Sequence, residues 1–329
     1  MSKNKLIAQI KIVIVLILLL TSTGCMPANY YNLSNDSSQV FNNTIDNTSR
    51  ESILPMEGDN IIGIRLFDKS GVIVRDHNFI LNKGEKWENF ISIVHINKES
   101  EAMKLLLFVD YKKTSFLVDS KKVADYTFKI GTQNVLDIPI SIEPLSNGFH
   151  DVLFIFIRHA ETILFDDDHI TNVQMDDPLF LRYTISVADN NVKDYRIEQL
   201  TQSNISEPYL PICSNRKEQS ELWLTDTVAA GEIIQYTSKV KNTNEKDTQS
   251  YALISLFDWN STQLNKDGDE VLFFRVNAKK EISINSSIKV PTIAGTYRFV
   301  PILISNPYKT IERKSTSVYV GNKTILKVE

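Results

Sequence analysis

Cysteine is almost absent from the chain: two residues in 329, Cys25 and Cys213. No disulfide framework can carry the fold, so the body must be held by its own hydrophobic cores. Lysine and arginine are spread along the sequence instead of forming a stripe, and the net charge is only -4. Such a surface has no electrostatic footprint for a phosphate backbone, and no nucleic-acid partner is expected. There is no Gly-x-Ser-x-Gly elbow, no phosphate-cradling glycine loop and no Cys-x-x-Cys. The five histidines, His77, His95, His150, His159 and His169, show no short ligand spacing and no His-Glu-x-x-His pair, so a zinc hydrolase has no support. No cofactor is expected and no catalytic residue is assigned. Convergent triads assemble from distant residues, which leaves an envelope hydrolase as the least favoured function. Helical periodicity is missing as well: beyond the first residues, no segment of ten or more keeps an apolar stripe.

What is present begins with a targeting segment. Lys3, Lys5 and Lys11 make a basic start, and Ile12 to Leu20 is a short apolar core ending at Thr21-Ser22-Thr23-Gly24-Cys25. The core falls short of the roughly 20 residues a spanning helix needs. Ser22-Thr23-Gly24-Cys25 resembles the lipobox of bacterial lipoproteins, with Gly24 as the small residue before the cysteine and Ser22 in place of the usual leucine. That resemblance implies cleavage before Cys25, a diacylglycerol on its sulfur, and a protein held to the outer face of a membrane; the body, rich in Lys, Asn and Ile, leans towards a single-membrane bacterium. Two acyl chains together anchor stably where one alone is marginal. Residues 1–24 are then a signal peptide. Residues 25–57, mostly Asn, Ser, Thr and Asp from Ala28 to Ser52, bury too little apolar surface to fold and are expected to be a flexible tether.

From about Gly58 the period is two. Ile138, Ile140 and Ile142 alternate with Asp137, Pro139 and Ser141, and Leu179 to Val187 alternates likewise. These are strands with one face on a core. Leu105 to Val109 and Val152 to Ile157 are continuous apolar runs, which suit central strands covered on both sides. Gly84-Glu85, Pro144 and Gly148 recur as Gly231-Glu232, Pro291 and Gly295 at a constant offset of 147 residues. Phe108-Val109-Asp110-Tyr111 matches Leu256-Phe257-Asp258-Trp259 after one extra residue. Several landmarks in order at one offset indicate two copies of a single domain. The expected fold is all-β: two tandem β-sandwiches over 58–160 and 179–329, joined by a linker at 161–178, with an inserted loop at 189–220 in the second. In outline the body resembles the immunoglobulin-like modules of bacterial surface proteins.

Candidate sites are few. Asp166, Asp167, Asp168, Asp176 and Asp177 cluster in the linker, where carboxylates could hold a hard cation, although their spacing fits no fixed loop motif. Asn265 to Glu270 lacks the spacing of a calcium loop and is expected to be a turn. Trp87, Trp223 and Trp259 suit a core better than a carbohydrate platform. The inserted loop is the candidate binding element, through Asn204, Tyr209 and Cys213, with Cys213 either a buried small hydrophobe or a loop thiol. Deleting 204–214 is then expected to abolish binding and spare the thermal melt. The expected function is a non-catalytic envelope-binding or adhesion module with a protein or glycan partner at the cell surface; the alternative is a passive spacer.

Overall fold

The computed structural model describes residues 61–160 and 178–329, apart from 133, 190, 193, 207–209, 218–220 and 312–317. The described residues form strands and turns without a helix. The first half contains β1 (Ile61–Phe67), β2 (Asn78–Leu81), β3 (Trp87–Ile96), β4 (Glu101–Val109), β5 (Lys112–Lys113), β6 (Phe116–Val118), β7 (Lys121–Val123), β8 (Tyr126–Ile130), β9 (Asn134–Ile142), β10 (Gly148–Arg158) and β11 (Leu179–Val187). The second contains β12 (Ile197–Glu198), β13 (Gln202–Asn204), β14 (Ile212–Arg216), β15 (Thr225–Val228), β16 (Ile233–Asn242), β17 (Gln249–Phe257), β18 (Asn260–Ser261), β19 (Val271–Val276), β20 (Lys280–Lys289), β21 (Gly295–Ser305), β22 (Val318–Val320) and β23 (Thr324–Val328). The expected alternation is visible in β20, where buried Ile282, Ile284, Ser286 and Ile288 face inward and Ser283, Asn285 and Ser287 face water.

Each half is two sheets. The first pairs β1-β3-β9-β6-β7 with β2-β11-β10-β4, to which β5 and β8 add beside β4. The second pairs β14-β16-β20-β13 with β15-β23-β21-β17-β19-β12. The common strands have the same order in both, so the tandem repeat is a repeat of topology and not only of composition. Register repeats too. Gly148 pairs with Val187 and Gly295 with Val328. The larger sheet of each half ends in a parallel edge strand, with Leu81 beside Val187 and Val228 beside Val328.

Two boundaries differ from expectation. Leu179 to Val187 does not open the second copy; β11 pairs with β10 along nine residues and closes the first, and β23 is its counterpart. Alternation shows that a strand is half-buried but not which strand it pairs with. Nor is 189–220 an inserted loop. It carries β12, β13 and β14, and β14 pairs with β16 as β1 does with β3. Its polar Cys213-Ser214-Asn215 core hid it from a search for alternating apolar residues.

The halves stack face to face as four layers of sheet. Leu105, Leu107, Val152, Phe154 and Phe156 point into the first sandwich, whereas Leu106, Phe108, Leu153, Ile155 and Ile157 point outward onto Ile254, Leu256, Val300, Ile302 and Ile304 of the second. The central strands are thus covered on both sides, and the outer cover is the other copy. Position for position the two outward faces correspond, so the contact is a pseudo-twofold one, self-complementary like that of a dimer. Each large side chain buried there contributes about 1.5–3 kcal/mol of transfer free energy. Separated copies would each expose an apolar sheet face, which isolated soluble domains avoid.

Candidate functional site

The seam between the copies is organised by the repeated Asp-aromatic pairs. Asp110 and Tyr111 have φ of 51° and 65°, and Asp258 and Trp259 have φ of 47° and 67°. Two successive positive φ values are those of a type I′ hairpin, and Asp tolerates that conformation better than most residues. The turns join β4 to β5 and β17 to β18 and bury Tyr111 and Trp259 in the seam.

Under Tyr111 lies a buried ion pair. Arg182 on β11 donates to both oxygens of Asp151 on β10, from Nε at 2.8 Å and from Nη2. Its remaining donors cross to the second copy, to the carbonyls of Ser305 at 2.7 Å and Asn306 at 2.9 Å. Asp151 also accepts from the Tyr111 hydroxyl and from the Tyr308 amide at 3.2 Å. Burial alone would lower the Arg182 pKa, but the Asp151 carboxylate outweighs it and holds the guanidinium charged. Burial, reinforced by the Asp151 charge, pushes the Tyr111 phenol well above its ordinary range. The Arg182–Asp151 pair is therefore buried but hydrogen-bonded, the condition under which such a pair is tolerated.

The second copy answers in reverse. Arg298 occupies the repeat position of Asp151, lies 5.4 Å from the ring centre of Trp259, and donates to the carbonyls of Ala160 at 3.2 Å and His159 at 3.4 Å. His159 and Asn306 are repeat equivalents, each with positive φ just beyond its strand. An arginine from each copy thus holds the strand end of the other. Asn78 adds a further stitch through the amide and carbonyl of Ile311.

Beside the seam opens a cleft of about 840 Å³ between the β4–β5 hairpin, the Pro144–Ser146 turn, the segment preceding β12 and the start of β19. Tyr195, Phe273 and Tyr308 form its aromatic wall, with ring centres 4.5 to 5.9 Å apart. Asp110, Asp194, Glu198, Asp269 and Glu270 outnumber Lys112 and Arg196 along its lining. A cleft of this size with an aromatic wall and convergent polar groups has the character of a ligand site.

One pair in the cleft resembles part of a catalytic triad. His150 Nδ1 lies 2.9 Å from Asp110 Oδ2, but its Nε2 lies 2.8 Å from the Ser146 carbonyl. Both ring nitrogens are thus engaged within the protein, and at 1% exposure neither is turned to a substrate. A second cluster surrounds Glu101, which is 2% exposed, receives two hydrogen bonds from Arg158 and lies near His95 and His159. Among the described residues no group of three or more His, Cys, Asp or Glu side chains is placed to hold a metal ion.

Of the residues singled out in the sequence, Cys25, Asp166, Asp167, Asp168, Asp176, Asp177, Tyr209 and His169 lie outside the described residues. Asn204 is exposed at the end of β13, accepting from Lys280 at 2.7 Å. Cys213 is buried in β14 at 7% exposure. β13 and β14 are opposite edges of one sheet, so these two residues do not share a site. Asn265 to Glu270 is a turn, in which Asn265 Oδ1 accepts from the amides of Asp267 and Asp269. Trp87, Trp223 and Trp259 are 2%, 3% and 5% exposed and belong to cores. The cleft residues Tyr195, Phe273 and Tyr308 carried no signal in the sequence, because three distant segments supply them. Only the Asp110-Tyr111 repeat pointed towards the seam.

No family model matches the chain, and no curated protein matches it. Among solved structures the chain is similar to a CARDB domain from Pyrococcus furiosus crystallised in complex with di-metal ions, at 6% identity and a TM-score of 0.25 over 39% of this chain and 89% of that domain. It is also similar to red sea bream transglutaminase, at 9% identity and a TM-score of 0.23 over 91% of this chain. The matched part is 34% of that enzyme. Likeness at this level carries no argument about site or activity.

Proposed function

We propose that the protein is a non-catalytic, lipid-anchored envelope module, built of two immunoglobulin-like sandwiches, that binds a partner in the cleft between them. The observation that carries this reading is the cleft: two copies fused through an apolar seam with a buried ion pair leave a fixed concavity with an aromatic wall. The rigid scaffold suits binding, because little ordering entropy is lost when a partner enters a preformed site. The Asp110–His150 pair argues against hydrolysis, since its outer nitrogen is held by a backbone carbonyl. The lipobox-like Ser22 to Cys25 supports attachment to the outer membrane face, with the tether lifting the cleft clear of the lipid.

Two variants test the two parts. Cys25→Ala should shift the protein from the membrane fraction to the soluble fraction or leave an unprocessed precursor; unchanged fractionation and mobility would remove the anchor. Full-length protein in detergent, used to capture partners from envelope extract, should lose its retained partner on Tyr195→Ala. Equal recovery by both forms would return the protein to a passive spacer.

A further inference from the structure

We infer that the cleft takes a basic peptide segment, with an ammonium or guanidinium group between Asp194 and Glu270; this rests on the cleft being the binding site. The charges lining it are unequally committed. Arg196 is already paired with Glu198 at 2.9 Å and Asp267 at 3.6 Å, and the Asp110 carboxylate is met by His150. Asp269 accepts from Asn265 at 2.8 Å. Asp194 and Glu270 are exposed and have no ion-pair partner among the described residues, against Lys112 as the uncommitted cation. The open cleft therefore presents a negative excess beside aromatic rings, the combination that recognises organic cations through charge and ring quadrupole together.

A second observation comes from the phenols. Tyr308 is only 9% exposed, yet among the described residues neither its hydroxyl nor that of Tyr195 has a hydrogen-bond partner. Burial first, then the Asp110 and Asp151 charges, push the Tyr308 phenol upward and keep its proton in place as a donor. The Tyr308 hydroxyl is the accessible part of a largely buried side chain lining the cleft, where a peptide carbonyl can accept from it. An anionic ligand would face Asp194 and Glu270, and a purely apolar one would leave both hydroxyls unmet. A basic peptide satisfies the carboxylates with its side chain and the phenol with its backbone.

The probes are oligolysine, oligoglutamate and a neutral cello-oligosaccharide, titrated calorimetrically against full-length protein in detergent. Oligolysine should bind and weaken as salt rises. The double variant Asp194→Asn with Glu270→Gln, at two exposed positions, should bind about tenfold more weakly, or ~1.4 kcal/mol, with its melt unchanged. Tyr308→Phe should lose affinity while keeping the salt dependence. Oligolysine binding that the double variant leaves intact would place it elsewhere and overturn the proposal. Saccharide binding lost on Tyr195→Ala, with no oligolysine binding, would overturn the cationic ligand and leave the cleft standing. If the envelope partner is recovered equally by Tyr195→Ala, the cleft itself is lost as the site.

Discussion

Asp151 and Arg298 stand at one repeat position and carry opposite charges, which makes the seam asymmetric where its apolar faces are alike. Asp151 is met by Arg182, whereas Arg298 reaches the other copy's backbone and the Trp259 ring. Arg182→Met should lower stability by about 3–5 kcal/mol in urea unfolding, because it strands a buried carboxylate. Adding Asp151→Leu should recover much of that loss; a double variant no better than the single would mean packing, not charge, was at stake. Glu101 supplies a pH dependence. Burial raises its pKa, but the Arg158 hydrogen bonds and charge, with His159 and His95, prevail and hold it below the usual carboxylate range. Its folded pKa lies below its unfolded one. The stabilisation is therefore complete above the unfolded value and fades as pH falls through the folded one. Thermal melts should decline in acid, and Glu101→Gln should flatten part of that decline; an identical profile for both would locate the acid sensitivity elsewhere.

At the scale of strands, the sequence exposed most of what alternates and little of what does not. β9, β20 and the continuous cores of β10 and β21 were legible, because burial on one face or two leaves a period-two or unbroken apolar signature. β12, β13 and β14 were not, being short or polar at an edge, and β11 was assigned to the wrong copy because pairing partners leave no local trace. The misread span has a direct consequence: deleting 204–214 removes Ile212 to Ser214 of β14 and should unfold the second sandwich instead of sparing the melt. Repeat equivalence also has limits. Gly148 has φ of 124°, and a Cβ there would come within 2.8 Å of the Asn191 carbonyl, where the chain leaving β11 crosses over it. Gly295 has no such φ, and its Cβ would make ordinary contacts of 3.5 to 3.7 Å with Tyr297. Gly148→Ala should cost more than about 1 kcal/mol in urea unfolding, and Gly295→Ala within about 0.5 kcal/mol. Equal costs would contradict the strain assigned to the first.

For the whole molecule, the decisive feature is that the two copies are not beads on a string. Their outward faces form a common core, and Arg182, Arg298 and Asn78 lock it. Duplication was legible from glycines, prolines and Asp-aromatic pairs. The face-to-face stacking was not, since a doubly covered strand has the same sequence whichever layer supplies the cover. The cleft exists only because of that stacking. Hydrogen exchange of the full-length protein, with and without the partner captured from envelope extract, tests this account most directly. Slowed exchange is expected in the first copy at Val109 to Lys112 and at Leu145 to Ser146, and in the second at Asp194 to Glu198, at Asp269 to Phe273 and around Tyr308, on both sides of the seam. Protection confined to one sandwich, for instance at the exposed Ile233 and Ile293 end, with the cleft segments unchanged, would contradict it.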